Sequence, residues 1–406
     1  MPVGSDEPLD LKPIAGVRIG TAKAGIRQLE RDDVTVFEIA DTSTVEAVFT
    51  KNVFCAAPVQ VAKKHLAESN AHYLLINSGN ANAGLGHEGV VAALSCCQSL
   101  ANHVGCTESK VLPFSTGVIG ETLPVDKLVA SLPAAIKNLA ADNWSQAATA
   151  IMTTDTRPKG CSRRVEIDDE TITITGIAKG SGMIRPNMAT MLAYIATDLA
   201  ISQDVLKQAI KTATDVSFNA ITVDGDTSTN DAVVLMATAQ ANVQTIESVS
   251  DERYGLFITQ LIEVFQHLSE AIVRDGEGAT KIITIQVDEA ASVDDAREVA
   301  YTVAQSPLVK TAFFAADPNW GRILAAVGRA NVSRLNVDQI SIYLGDVCIV
   351  KNGQRDQQYT EEAGANVMSE DEITVTIILA QGDYSARILT CDLSYDYVKI
   401  NAEYRS

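Results

Sequence analysis

The chain has 406 residues, of which 46% are hydrophobic and 20% charged, values that are ordinary for a soluble globular protein. Its 32 Lys and Arg against 51 Asp and Glu give a formal net charge of -19, and no basic cluster interrupts that acidity, so nucleic acid and anionic membranes make poor partners. Residues 1–16 lack the features of a signal peptide, and no apolar run is long enough to cross a bilayer. The seven cysteines contain no CxxC pair. We therefore expect a protein of the reducing cytoplasm whose cysteines are free thiols.

Helical and extended patterns alternate along the chain, which predicts an α/β or α+β fold. Short apolar or alternating runs predict strands at 34–39, 72–77, 171–177, 231–237, 281–287, 339–345 and 372–379. Apolar residues recur at helical spacing over 88–104, 252–273 and 293–305. Ser250 and Ser292 are the expected N-caps of the last two helices. A further helical pattern over 125–141 contains Pro133, which is expected to divide it into two pieces.

The chain changes character at Thr190. A Gly-rich segment, 179–187, leads into the run "NMATMLAYIATD" (187–198), whose second part predicts a buried strand. Thr190 taken alone is most simply a buried strand threonine. The five histidines are scattered, so a hydroxyl nucleophile in this chain has no obvious histidine base.

Cleavage of the peptide bond between Ala189 and Thr190 would supply the missing base. The freed α-amine of Thr190, with a pKa of about 7.7–8, would accept the hydroxyl proton near neutral pH. Cleavage itself would begin with the Thr190 hydroxyl attacking the carbonyl of Ala189, where the small side chain and the nearby glycines permit the necessary bend.

Two further loops contain residues capable of chemistry. In "PFSTGVIGETLP" (113–124), the Thr116 hydroxyl and the Gly117 N–H could form an oxyanion hole, although a plain glycine turn also fits. In "VDGDTSTND" (223–231), three aspartates could surround a divalent cation. The Asp, Gly, Ser and Thr composition of that loop favours a turn, so we predict no metal site.

Taken together, these segments resemble one family. The whole chain is similar to the bacterial glutamate N-acetyltransferases, also called ornithine acetyltransferases, of arginine biosynthesis. The matches run in family order from about residue 14 to the end. They are "STGVIGE" (115–121), "IMTTDT" (151–156), "AKGSGMIRPNMATMLAYIATD" (178–198), "FNAITVDGDTSTNDA" (218–232), "DGEGATK" (275–281), "ADPNWGRILAAVGRA" (316–330) and "VKINAEYRS" (398–406).

The resemblance implies an α/β fold in which stacked β-sheets lie between helical layers. It also implies self-cleavage between Ala189 and Thr190. The α chain would then be residues 1–189 and the β chain residues 190–406, interleaved into one catalytic unit and paired into an α2β2 heterotetramer. Thr190 would be the nucleophile, and Thr116 and Gly117 the oxyanion hole. The implied substrate-binding residues are Thr153 (with Thr154 as the neighbouring alternative), Lys179, Thr190, Glu277, Asn401 and Ser406.

The implied reaction is ping-pong acetyl transfer from N-acetylornithine to glutamate through acetyl-Thr190, with no metal and no bound cofactor. The sequence does not decide whether acetyl-CoA is a second acetyl donor. The residue types suit this substrate, because Lys179 can form an ion pair with a carboxylate and Glu277 with an ammonium group. The alternative interpretation is that both are solvated charges on loops. The alternatives are an amide hydrolase or aminopeptidase with the same nucleophile, and a metabolite-binding protein without chemistry.

Overall fold

The computed structural model of the protein describes residues 3–4, 8–27, 30–185, 191–333 and 335–403. Within these ranges the strands are β1 (Val17–Ala22), β2 (Val34–Ile39), β3 (Thr44–Phe49), β4 (Tyr73–Asn80), β5 (Val111–Val118), β6 (Lys159–Ile167), β7 (Glu170–Lys179), β8 (Leu192–Thr197), β9 (Ala232–Ala237), β10 (Ile282–Ala290), β11 (Ser341–Leu344), β12 (Val347–Lys351), β13 (Gln354–Arg355), β14 (Glu372–Ile378) and β15 (Tyr384–Cys391). The helices are α1 (Ala57–Glu68), α2 (Gly86–Val104), α3 (Val125–Lys137), α4 (Trp144–Ala150), α5 (Gln203–Asp215), α6 (Glu252–Arg274), α7 (Val293–Ala304), α8 (Pro307–Phe314), α9 (Trp320–Gly328), α10 (Glu361–Met368) and α11 (Tyr395–Ala402).

The first sheet has the strand order β1-β2-β4-β5, in which only β4 and β5 run parallel. Successive side chains of a strand point to opposite faces, so each strand contributes to two different cores. On one face, Val36 and Leu75 pack with Cys97 and Leu100 of α2 and with Leu132 of α3. Helices α2 and α3 therefore cover this face of the sheet.

The second sheet has the order β3-β9-β8-β7-β6 and is covered by α5 and α6. Ile174 of β7 and Ile195 of β8 pack in one core with Ile210 of α5 and with Phe265 and Leu268 of α6. By length and hydropathy α6 could cross a membrane, but most of its large apolar residues, such as Phe257, Phe265 and Leu268, lie in this core. We therefore describe α6 as a core helix of the sandwich.

The remaining faces of the two sheets pack directly on each other. Phe37 and Phe114 of the first sheet contact Tyr194 of the second, each with ring centroids 5.4 Å apart, and Trp144 of α4 packs edge-on against Phe37. These aromatic contacts lie within a buried cluster shared by both sheets. The resulting order of helix, sheet, sheet and helix confirms the predicted stacked sheets between helical layers.

The third sheet has the order β13-β12-β11-β14-β10-β15 and carries its own core. Ile285 of β10 and Ile377 of β14 pack there with Val299 of α7, Phe313 of α8 and Ile323 of α9. The chain then returns from β15 into α11, close to the segment that connects α6 to β10. This return brings the C-terminal helix to the cavity described below.

The elements predicted from periodicity are confirmed, including all seven strands and the three helices with an unbroken apolar face. Ser292 caps α7 as predicted, through a hydrogen bond from the Asp295 N–H. Ser250 does not cap α6; Asp251 does, by accepting from the Arg253 N–H. The two positions are adjacent, and sequence alone does not resolve which of them begins the helix.

The predicted break at Pro133 is wrong. Helix α3 runs through this proline, which is exposed on the outer side of the helix. Leu128, Leu132 and Ala135 are buried against the first sheet on both sides of Pro133. Burial of this continuous apolar stripe outweighs the lost backbone hydrogen bond, which is why the helix continues.

Candidate active site

A cavity of about 270 Å³ lies at the ends of β5, β7 and β8, where the first two sheets meet α11. It brings together residues predicted from distant parts of the sequence: Thr116, Gly117, Thr153, Thr154, Lys179, Glu277 and Asn401 all line it. Ala189, Thr190 and Ser406 lie outside the described residues, although Met191 and Leu192, which follow Thr190 in the chain, also line the cavity.

Gly117 occupies a backbone conformation that only glycine adopts easily. Its φ is +134°, and a Cβ atom at this position would lie 2.3 Å from the carbonyl carbon of Gly79 and 2.5 Å from the nitrogen of Asn80. This close approach occurs where the pairing of β4 with β5 shifts register. Glycine therefore lets the end of β5 bend against β4 at the cavity wall.

Thr116 stands beside a buried cation. Its Oγ1 accepts a hydrogen bond from Lys179 Nζ at 3.1 Å. A threonine hydroxyl that accepts from an ammonium group still has its own proton to donate. Thr116 can therefore donate to a negatively charged oxygen in the cavity, as the predicted oxyanion role requires.

Lys179 is buried at the end of β7, and its ammonium group also donates to Thr153 Oγ1 at 2.7 Å. Burial lowers the pKa of Lys179, and the negative charge of Asp155, whose Oδ2 lies 4.0 Å from Nζ, opposes this shift. Thr154, the alternative to Thr153, instead pairs its hydroxyl with Ser181 at 2.8 Å. Of the two threonines, Thr153 is thus the one bonded to the cation.

Asp155 itself belongs to a buried network of charges that our sequence analysis did not single out. Lys159 Nζ lies 2.7 Å from Asp155 Oδ1 and 2.6 Å from Asp275 Oδ2, and all three side chains are almost fully buried. Burial alone would raise the pKa of Asp155, but the charges of Lys159 and Lys179 hold it well below its usual range. The segment "TTDT" contains Asp155, but nothing local in the sequence indicates that its partner Lys159 also binds Asp275, 116 residues beyond Lys159.

Glu277 and Asn401 form another part of the wall. Asn401, on α11, donates from Nδ2 to Glu277 Oε2 at 2.7 Å. The Glu277 N–H donates to the Ser181 carbonyl at 2.8 Å, which joins this segment to the Gly-rich loop. Gly182 packs on the Glu277 carboxylate so closely that a Cβ atom there would lie 2.4 Å from it. Glycine at this position thus makes room for the carboxylate in the cavity.

The loop with three aspartates has two separate roles. Asp224 accepts from the N–H groups of Met183 and Ile184 at 2.6 and 2.9 Å, and so holds the Gly-rich loop. Asp231 lines the cavity, is only 3% exposed, and its Oδ2 has no hydrogen-bond partner in the described structure. Among the described residues, no three potential ligands cluster as a metal site.

The buried carboxylate of Asp231 predicts an unusual dependence of stability on pH. Burial raises the pKa of Asp231 well above its ordinary value, although Ser228 and Lys179 oppose the shift. The folded state therefore retains a proton that the unfolded state has released, and stability declines as pH rises above about 4 towards the folded pKa. We expect Asp231→Asn to remove this decline and to gain about 1–3 kcal/mol relative to wild type at the alkaline end. Thermal unfolding of both proteins from pH 5 to 9 measures this difference, and parallel curves would contradict a raised pKa of Asp231.

The fold and the site define a mixed α/β protein whose cavity is lined by a buried cation, a carboxylate and hydroxyl groups. The model of the ArgJ family matches residues 18–406. The arginine biosynthesis bifunctional protein ArgJ of Methylococcus capsulatus is 56% identical over 98% of this chain and 97% of that protein. Its counterpart from Pseudomonas syringae pv. tomato is 53% identical over 98% of both. A crystal structure of the Bacillus halodurans protein of the same name has 38% identity and a TM-score of 0.49, and covers 52% of this chain and 98% of that one. The chain belongs to the ArgJ family, which confirms the family resemblance predicted from its motifs.

Proposed function

We propose that the chain is an acyltransferase of arginine biosynthesis that moves an acetyl group from N2-acetyl-L-ornithine to L-glutamate. The single observation that supports this most directly is that Lys179 and Glu277 line the same cavity in a protein of this family. N-acetylornithine carries a carboxylate and an ammonium group on either side of its acetamide. Lys179 binds the carboxylate and Glu277 the ammonium, so that the acetyl carbonyl faces Thr116 and Gly117.

The reaction passes through two steps that balance in protons. Thr190 Oγ attacks the acetyl carbon while the α-amine of Thr190 takes the hydroxyl proton, and Thr116 and Gly117 stabilise the oxyanion. The bond to the ornithine nitrogen breaks, the α-ammonium returns its proton to that nitrogen, and acetyl-Thr190 remains. The amine of glutamate then attacks the ester, and the same groups work in reverse. No metal and no bound cofactor takes part.

We also propose that the α chain (residues 1–189) and the β chain (190–406) stay together after cleavage and form a cytoplasmic α2β2 assembly. In support, β7 and β8 lie on opposite sides of the cleavage position but are neighbours in one sheet, paired from Ile174 opposite Thr197 to Lys179 opposite Leu192. Light scattering of the purified protein tests the assembly, and a particle containing only one copy of each chain would contradict it.

The activity is tested by incubating the purified protein with N-acetylornithine and glutamate. We expect ornithine and N-acetylglutamate to appear in equal amounts. Release of acetate without N-acetylglutamate would instead identify an amide hydrolase, and the absence of any product would identify a binding protein. Replacing N-acetylornithine by acetyl-CoA and measuring free CoA shows whether the chain also uses that donor.

Glu277→Gln tests how the cavity recognises its first substrate. Loss of a charge-assisted hydrogen bond costs about 1.5–3 kcal/mol, so we expect KM for N-acetylornithine to rise about 10- to 100-fold. KM for glutamate should stay the same or fall, because the side chain of glutamate is itself negative and gains nothing from a carboxylate. Glu362→Gln, on the exposed start of α10, is the matched control. An equal loss for both substrates would mean that Glu277 only maintains the fold.

A further inference from the structure

Asp155 contacts three parts of the cavity wall without lining the cavity itself. Its Oδ2 accepts from the Thr153 N–H at 3.0 Å, its Oδ1 accepts from the Gly180 N–H at 2.7 Å, and Lys179 Nζ lies 4.0 Å away. The Asp155 side chain is fully buried. We infer that Asp155 is a positioning residue that holds Lys179 in its charged form and in place beside Thr116 and Thr153. This inference rests on the proposed function, in which Lys179 binds a carboxylate.

Lys159 extends the network to the Glu277 side of the cavity. It bridges Asp155 and Asp275, and Asp275 also accepts from the Thr156 N–H at 3.0 Å and from its hydroxyl. Asp275 lies two residues before Glu277 in the chain. The buried charges therefore connect the segment containing Thr153, the end of β7 and the turn containing Glu277, which are the three segments that a ligand of mixed charge must contact together.

The charge on Lys179 depends on its neighbours. Burial and the positive charge of Lys159 disfavour the charged form of Lys179, whereas the charges of Asp155 and Glu277 favour it, as does Asp231 when it is ionised. Asp155 is the largest of the favourable neighbours. Removing its charge should lower the pKa of Lys179 further, so that the ammonium group loses its proton at a lower pH. The alkaline limb of kcat/KM for N-acetylornithine should then move towards neutral pH.

A purely structural role for Asp155 makes a different prediction. Breaking a buried network of charges destabilises a protein wherever it is broken, because an unpaired charge is left behind. Asp275→Asn breaks the same network at Lys159, but the Asp275 carboxylate binds Lys159 and Thr156, and no described contact joins it to Lys179. It is therefore a matched control for loss of stability without loss of the charge beside Lys179.

We propose to measure kcat/KM for N-acetylornithine from pH 6 to 10 for wild type, Asp155→Asn and Asp275→Asn. For Asp155→Asn we expect the alkaline limb to move down by about one pH unit or more, the scale of losing an opposite charge 4–6 Å away. At pH values above the wild-type limb, kcat/KM should therefore fall at least about tenfold. Both variants should have a lower melting temperature than wild type. For Asp275→Asn, however, we expect the alkaline limb of kcat/KM to stay at its wild-type position. Limbs that coincide in all three proteins, or that move equally in both variants, would overturn the inference.

Two further measurements keep the outcome clear. If Asp155→Asn does not fold, the double variant Asp155→Asn/Lys159→Gln removes both partners of one pair, and its limb should move in the same direction by a smaller amount. A limb that stays in place would count against the inference. The wild-type transfer assay is read separately: if wild type makes no N-acetylglutamate, the proposed function fails, whereas an active wild type with an unmoved Asp155→Asn limb contradicts only the role of Asp155.

Discussion

Replacing Thr190 by alanine is expected to leave a single chain of 406 residues without detectable acetyl transfer. The substitution removes the hydroxyl that would attack the Ala189 carbonyl, and therefore also the α-amine that cleavage would release as the base. Intact-mass and N-terminal analysis of fresh protein measure the first effect, and the transfer assay measures the second. Wild type should show a chain that begins at Thr190.

Thr190→Ser is the matched control, because serine keeps the hydroxyl and loses one methyl group. It should still cleave and should transfer acetyl groups more slowly than wild type. If Thr190→Ala divides into two chains as wild type does, the chain is not cut by its own hydroxyl. If active wild-type enzyme is found as one unbroken chain, the released amine cannot be the base.

Replacing Gly117 by alanine should have the second largest effect. The new methyl group would lie 2.3 Å from the carbonyl carbon of Gly79, at a φ of +134° that side chains rarely tolerate. The end of β5 must therefore move away from β4, which displaces both the Gly117 N–H and Thr116. Loss of one oxyanion donor lowers kcat about 10²- to 10³-fold, and we expect kcat for acetyl transfer to fall by at least that factor.

Gly120→Ala separates the clash from the backbone strain. Gly120 also has a positive φ, +84°, but no heavy atom lies within 4 Å of the position of a Cβ atom there. We expect this variant to lose some stability and to keep most of its kcat. Circular dichroism and melting temperature show whether each variant folds. A Gly117→Ala protein that folds and retains wild-type kcat would remove the end of β5 from the proposed mechanism.

Much of the architecture follows from local patterns. Strands such as β2 and β14 are recognisable because apolar residues alternate or cluster over their length, and α2, α6 and α7 because an apolar residue recurs every three or four positions. Pairing between distant segments is different. Strand β3 pairs with β9, from Thr44 opposite Ala237 to Phe49 opposite Ala232, and nothing within either short segment specifies a partner so far away in the chain.

The site divides in the same way. Thr116, Lys179 and Glu277 were predicted through motifs, and the structure brings them to one cavity. The network of Asp155, Lys159 and Asp275 was not predicted, because its members are ordinary charged residues whose burial depends on the completed fold. Asp231 is predicted only as a turn residue or a metal ligand, since a single sequence does not show which aspartate of a polar loop will be buried in a cavity wall.

The adjacency of β7 and β8 has a consequence for how this enzyme survives heat. A cut between these strands would leave the native sheet intact, because its hydrogen bonds do not depend on the connecting loop. Once melted, however, the two polypeptides would separate by diffusion, and recovery would require them to meet again, so yield would depend on concentration. The processed enzyme would then be kinetically stable, with a lifetime set by its slow rate of unfolding and chain separation. Folding would take place in the precursor, before the chain is cut.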